Sequence, residues 1–248
     1  YQRYNGTGAT SYREFIDGSA KTRTQMIYVG GNDGMLHGFN ASTGVEKFAY
    51  IPKNVMTPAV GDKVNVLKKY TDPAYIHRFS VDGTPVAVDV YIGSPASWKT
   101  ILVGGLGRGS ANHSGGGFYA LDITNPDSFD ASKVLWDKSF GETVTYLGEP
   151  QITRTNTGQW VVILGYGYNN SGYKSGILIV NLENGLILKQ IPTTAGSSTD
   201  PNGMSELSLL DINSDGLTDW VYGGDLHGNV WKFDLSGTST SAWKVDYS

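Results

Sequence analysis

Hydrophobic positions in this chain fall in runs of about five or six residues separated by Gly, Asn, Asp, Ser and Thr, and segments of helical period ten or more residues long are hard to find. Residues Gln25 to Gly31 read as a strand, Asn32-Asp33-Gly34 as a turn, and Met35 to Asn40 as a second strand alternating loosely with period two. Ala41-Ser42-Thr43-Gly44 is the next turn, and Val45 to Ile51 a third strand.

This unit of strand, Gly-Gly, strand, acidic or amide residue, turn and strand returns three times with variation. Its second copy holds Thr100 to Gly105, Gly117 to Asp122 and Val134 to Asp137; the third holds Val161 to Gly165, Gly176 to Asn181 and Leu186 to Ile191. The fourth holds Val221 to Asp225, Asn229 to Asp234 and Ala242 to Val245. An added strand precedes the later three copies, at Pro85 to Ile92, Glu149 to Thr153 and Ser205 to Leu210, and each hairpin closes just before Trp98, Trp160 or Trp220. Those tryptophans are 62 and 60 residues apart, somewhat above the roughly 40–50 of common propeller repeats.

The pattern predicts an all-β fold, a β-propeller built from four-stranded antiparallel blades, with the Gly-Gly positions where crowding leaves no room for a side chain. A β-sandwich could use the same strands but would not require this repeating register of Gly, Trp and Asp/Asn. Four units, the first lacking its outer copy of the initial strand, suit a sector of a larger propeller. The expected division is a polar segment at 1–24, read as a loop with at most one short strand, and a propeller domain at 25–248 with a long insertion at about 52–83. Four aromatics between Tyr70 and Phe79 argue that this insertion packs or makes contacts.

Composition agrees with the pattern. Gly accounts for 33 of 248 residues, close to twice the ~7 % average, and 15 Tyr and 6 Trp suit strands. A net charge of −4 with no basic cluster beyond Lys68-Lys69 argues against nucleic-acid partners. The absence of cysteine removes disulfides and thiolate metal sites. No apolar run approaches a membrane span of roughly 18–20 residues, and Tyr1 to Gly6 do not resemble a signal peptide. The missing initiator Met suggests an excised domain or processed product.

The stretch with the most chemistry is Asp211-Ile212-Asn213-Ser214-Asp215-Gly216-Leu217-Thr218-Asp219. Oxygen-bearing side chains stand at positions 1, 3, 5 and 9 (Asp211, Asn213, Asp215, Asp219), Leu217 can offer its carbonyl, and Gly216 suits a left-handed turn. Ca²⁺ takes six to eight hard oxygen ligands at roughly 2.3–2.6 Å, which this spacing can supply. It is not an EF-hand, because position 12 is Tyr222 and both flanks read as strands. An acidic turn without metal is the alternative, since Asp, Asn and Gly are ordinary turn residues. The units' equivalent positions, Ser94 to Ser97 and Asn156 to Gly158, lack the acids, so one blade alone is specialised. Calcium favours an extracellular or periplasmic setting.

Other chemistry is sparse. His37, His77, His113 and His227 form no short-spaced metal pair. His37 and His227 occupy similar places in the first and fourth units, which predicts a repeated structural role, and Asp33 and Asp225 read as turn acids capping backbone N–H groups. Gly104 to Gly109 is glycine-rich without the βαβ unit of a phosphate loop, and no G-x-S-x-G elbow occurs. An enzyme site at a propeller axis, in the manner of quinoprotein dehydrogenases, lacks its acid, base and metal set here.

Four stretches together carry a family resemblance: Tyr28 to Phe39, Val81 to Pro85, Trp98 to Gly107 and Gly223 to Asp234. They resemble the C-terminal propeller domain of the PilC/PilY family of type IV pilus biogenesis factors and tip-associated adhesins. The resemblance runs from about Gln25 through nearly all the chain. It implies a non-enzymatic module at the cell surface, pilus tip or outer membrane of a Gram-negative bacterium, acting in pilus assembly, adhesion and twitching motility. Pilins or minor pilins are the implied partners, with host-surface ligands reached through regions outside this chain. The family's Ca²⁺ loop maps onto Asp211, Asn213, Asp215, the Leu217 carbonyl and Asp219, and occupancy is implied to balance pilus extension against retraction.

Overall fold

Fifteen short strands assemble into four antiparallel sheets, each made from consecutive strands, in a computed structural model that describes residues 11–58, 65–112, 117–141 and 148–247. The first sheet holds β1 (Met26–Gly30), β2 (Leu36–Asn40) and β3 (Glu46–Tyr50). The second holds β4 (Val86–Gly93), β5 (Ala96–Gly105), β6 (Gly117–Asp122) and β7 (Val134–Ser139). β8 (Gln151–Arg154), β9 (Trp160–Gly165), β10 (Gly176–Asn181) and β11 (Ile187–Pro192) form the third. The fourth is β12 (Met204–Leu210), β13 (Trp220–Asp225), β14 (Val230–Asp234) and β15 (Lys244–Tyr247).

The sheets repeat in detail as well as in outline. Each pairing of the last two strands shifts register once, after Gly38, Ala120, Ile179 and Lys232. These four residues stand two places beyond Leu36, Phe118, Ile177 and Val230, which pair with the glycine-bearing strands at Gly30, Gly105, Gly165 and Gly224. The acid or amide that ends the next-to-last strand of each sheet also has one job. Asn40, Asp122, Asn181 and Asp234 each accept, through Oδ1, the backbone N–H two residues on, at 2.9, 3.0, 2.9 and 2.9 Å, which closes the following turn.

Successive sheets stack face to face and share their cores. In the third sheet, Trp160, Val162, Leu164, Leu178 and Val180 pack toward the second, while Val161, Ile163, Ile177 and Ile179 pack toward the fourth. That period-two division explains why Trp160 to Leu164 has no polar residue: both faces of the strand are buried. A third core, around Leu36, Val55, Leu102, Tyr119 and Leu121, joins the first sheet and the insertion to the second. A two-layer sandwich is therefore excluded. No core cluster among the described residues joins the first sheet to the fourth. The outer faces of those two sheets are wetter, with Ile27 and Val29 55 % and 46 % exposed on the first.

Crowding justifies most of the paired glycines. A Cβ on Gly104 would run into the buried ring of Tyr119, and one on Gly165 would strike the backbone carbonyls of Met204 and Ser205 in the next sheet. Gly224 differs, having open space around it.

The segment before β1 differs from the expected loop. It carries two short helices, α1 (Tyr12–Asp17) and α2 (Ser19–Thr22). A capping box starts α1: Glu14 N–H donates to Ser11 Oγ at 3.1 Å, and Ser11 N–H to the Glu14 carboxylate at 2.9 Å. Phe15 is buried, and Tyr12 lies 4.6 Å from the Trp98 ring, which fastens the helix to the second sheet. The six-residue helix is too short for its periodicity to register in the sequence.

The insertion packs through its aromatics, as expected, over its described parts. Tyr70 donates to the Asn32 carbonyl, Tyr75 packs edge-on against Tyr70 at 5.2 Å, and the Arg108 guanidinium lies 4.9 Å from the Phe79 ring centre. Residues 59–64 of the insertion and residues 113–116, His113 among them, lie outside the described residues.

Candidate functional site

The acidic loop joins β12 to β13, as its flanks predict, and it folds on itself. Ser214 and Gly216 have φ of 60° and 87°, so two residues in the left-handed region stand within three positions of the chain. Both Asp211 Oδ1 and Asn213 Oδ1 accept the Asp215 N–H, at 3.2 and 3.0 Å. Asp211 Oδ2 accepts from Gly216 N–H at 2.8 Å, and Asp215 Oδ1 from Leu217 N–H at 2.8 Å. The Asn213 amide donates to Asp215 Oδ2 at 3.0 Å.

Asp219 stands apart from this group. It is 3 % exposed, accepting from Ile212 N–H at 3.0 Å and, through Oδ1, from the side-chain amide of Asn156 at 3.0 Å. Asn156 belongs to the β8–β9 turn of the preceding sheet. Thr218 N–H donates to the Arg154 carbonyl at 2.9 Å, and the Thr153 and Thr218 hydroxyls meet at 2.7 Å. The loop thus ties the fourth sheet to the third. Spacing within the loop could not indicate Asn156, which is 63 positions from Asp219.

The oxygens suit a hard cation in kind. Each carboxylate oxygen that accepts one N–H retains a lone pair, and the Leu217 carbonyl accepts no hydrogen bond from a described residue. None of Asp211, Asp215 and Asp219 forms an ion pair with a described residue. In the conformation present, however, no three His, Cys, Asp or Glu side chains among the described residues gather round a point where a metal could sit. The loop N–H groups hold the carboxylates instead.

The turn acids act as caps, as expected. Asp33 Oδ1 accepts from Met35 N–H at 3.1 Å. Asp225 accepts through Oδ1 from the N–H groups of His227 and Asn229, and through Oδ2 from Asn202 at 2.8 Å and Trp231 at 2.7 Å. Burial pushes the Asp225 carboxyl up, but the hydrogen bonds from Asn229, Trp231 and Asn202 outweigh it and bring it down to about 2.

The two histidines do not share a place. Register pairs Val29 with His37 and Gly223 with Trp231, so the counterpart of His37 is Trp231, while His227 sits in the turn. The repeated feature is a ring nitrogen on the turn acid: His37 Nε2 lies 2.8 Å from Asp33 Oδ2 and Trp231 Nε1 2.7 Å from Asp225 Oδ2. Aligning the two His-Gly pairs by identity hides this.

Set against known proteins, residues 4–245 match the model of the PilY1 beta-propeller domain. The chain belongs to that family. It is similar to the type IV pilus biogenesis factor PilY1 homolog of Xylella fastidiosa, with 38 % identity over 252 residues covering 96 % of this chain. Type IV pilus biogenesis factor PilY1 of Pseudomonas aeruginosa strain UCBPP-PA14 is 40 % identical over 223 residues, 89 % of this chain. The chain spans 16 % and 18 % of the length of these relatives. The crystal structure of the Pseudomonas aeruginosa PilY1 C-terminal domain superposes with a TM-score of 0.75 at 34 % identity, covering 95 % of this chain and 46 % of that one. No helix among the described residues is long and apolar enough to cross a membrane.

Proposed function

We propose that this chain is a non-enzymatic, calcium-binding propeller module of a type IV pilus biogenesis factor. Membership in the PilY1 family supports the pilus setting: assembly, adhesion and twitching motility at the cell surface, pilus tip or outer membrane, with pilins or minor pilins as partners. The stack of sheets sharing a core at each junction supports reading the four units as neighbouring blades, a sector of a propeller.

The observation that carries the calcium reading is the acidic loop itself: within nine residues stand three carboxylates without an ion pair to a described residue, the Asn213 amide, and a Leu217 carbonyl that accepts no hydrogen bond from a described residue. Asp211, Asn213, Asp215, Leu217 and Asp219 supply the ligands, and binding draws the carboxylates from the loop N–H groups toward the ion. Because Asp219 is fastened to Asn156, occupancy stiffens the junction between the third and fourth sheets, not one blade edge alone. The surface beside that junction is where calcium would bias pilus extension against retraction.

Calorimetric titration of metal-stripped protein tests the site. One Ca²⁺ per chain is expected, abolished in Asp215→Ala; absence of binding heat, or heat unaffected by that change, refutes it. The pilus role is tested by piliation and twitching of cells carrying Asp215→Ala in the full-length protein.

A second reading keeps calcium as a permanent staple and assigns partner contact to the packed aromatic insertion, where Ile76 is 79 % exposed. Replacing Ile76 by Asp separates the two, because only this reading predicts lost piliation with calcium binding unchanged.

A further inference from the structure

A groove of about 640 Å³ opens between α2, the start of β1 and the second sheet, within the roughly 300–1,000 Å³ of small-ligand sites. Lys21 and Arg23 both line it. Neither forms an ion pair with a described residue. The Arg23 side chain makes one hydrogen bond to a described residue, from Nη1 to the Thr100 hydroxyl. A guanidinium has five N–H donors, so four find no acceptor among the described residues.

Carboxylates on the surrounding elements are already engaged. Asp89 accepts from the Thr100 hydroxyl and from Tyr12 at 3.0 Å; Asp127 accepts from Thr24 at 2.6 Å and pairs with Lys47 at 2.8 Å. Thr100 donates to Asp89 while accepting from Arg23, so it fixes one corner of the guanidinium without neutralising it directly. Met26, Tyr28 and Ile123 give the groove an apolar side. Burial pushes the Tyr28 hydroxyl up to about 12, so it remains a donor at neutral pH.

We infer that this groove binds a carboxylate carried on an apolar body. Its carboxylate lies on the free edge of Arg23, where a planar fork matches two oxygens, Lys21 adds a second charge, and the apolar part rests against Met26 and Ile123. An organic acid is favoured over inorganic phosphate because phosphate would leave that apolar side in water. The carboxylate could belong to a free acid or to the last residue of a peptide. The inference stands apart from the calcium reading, since the loop and the groove share no residue.

The test is an NMR titration of the 248-residue chain with 3-phenylpropanoate, its amide, acetyl-Ala-Phe with a free carboxyl group, its amide and inorganic phosphate. The acids are expected to saturate, with shifts centred on Lys21, Arg23, Met26 and Tyr28. Each amide, and phosphate, should bind about tenfold more weakly or not at all. Tighter binding of the peptide acid identifies a chain end as the ligand, tighter binding of phenylpropanoate a free acid, and both support the site. Arg23→Gln should weaken the acids about tenfold, and Arg23→Lys, which keeps charge but loses the fork, by several fold. Lys21→Gln, on an exposed side chain, should weaken them about two- to threefold without altering the fold. Acids that fail to bind at about 10 mM, amides that match the acids, phosphate that matches them, or affinity unchanged in both Arg23→Gln and Lys21→Gln would each overturn the inference.

Discussion

Trp231 donates its indole N–H to Asp225 Oδ2 at 2.7 Å, so the side chain of one strand pins the turn that leads into it. Asn202 and Asn229 complete the cage around the same carboxylate. Hydrogen bonds to an ionised group contribute about 1.5–3 kcal/mol each way of counting, and leaving their partners unmatched adds to the loss. Asp225→Ala is expected to cost about 2–3 kcal/mol, read as a lower urea midpoint with an unchanged slope. A loss below about 0.5 kcal/mol would contradict the cage's role.

The same carboxylate sets an acid limit. Its folded value of about 2 lies below the ordinary ~3.9 of an unfolded Asp. Its stabilisation is therefore complete above pH ~3.9 and is lost as pH falls through about 2. Between pH 5 and 2 the wild type should lose more stability than Asp225→Asn, as followed by circular dichroism melts; parallel losses would rule this out.

His37 has the opposite sign. Its Nδ1 faces Glu46 Oε1 at 2.6 Å and its Nε2 faces Asp33 Oδ2 at 2.8 Å, and only an imidazolium can donate on both sides. The hydrogen bond that His37 donates to Glu46 raises its pKa above the ordinary 6.5, burial opposes this, and Asp33 adds to the rise. The stabilisation is present below pH ~6.5 and is lost as pH rises through the raised value. NMR titration should find His37 above 6.5 and lowered in Glu46→Gln; an unshifted midpoint in the variant would remove Glu46 as the cause.

Glycine pairs differ in what they tolerate. Gly104→Ala places a methyl against the fully buried Tyr119 ring and should cost about 1–3 kcal/mol. Gly224→Ala meets open space and should stay within about 0.5 kcal/mol of the parent. Equal thermal midpoints for the two variants would show that crowding does not select these residues.

Calcium should raise stability by mass action if the acidic loop holds it, by about 2.7 kcal/mol when free Ca²⁺ is a hundredfold above its dissociation constant. A chelator should reverse the shift. Asn156→Ala should retain one ion per chain but reduce affinity, because Asp219 loses its anchor on the third sheet. Unchanged affinity in that variant would detach the loop from the junction.

Much of this was legible locally. A strand buried on both faces must be apolar throughout, so Trp160 to Leu164 announces its place in the stack. Asn40, Asp122, Asn181 and Asp234 announce their turns, because each bonds to backbone only two residues away. The capping box at Ser11 and Glu14 was equally local, yet a helix of six residues leaves no period to find.

The sequence by itself determined the four units, their turns and the run of acid and amide side chains from Asp211 to Asp219, since hydrogen bonds across a few residues and alternation along a strand depend on near neighbours. Tertiary structure alone decided that His37 corresponds to Trp231, that Asp219 leans on Asn156, and that Arg23 meets Thr100 across a groove. Those relations arise where separately formed sheets stack. Partners 63 and 77 residues apart are brought together by burial of shared apolar faces, which fixes the spacing between sheets without leaving any local signature of the polar groups it aligns.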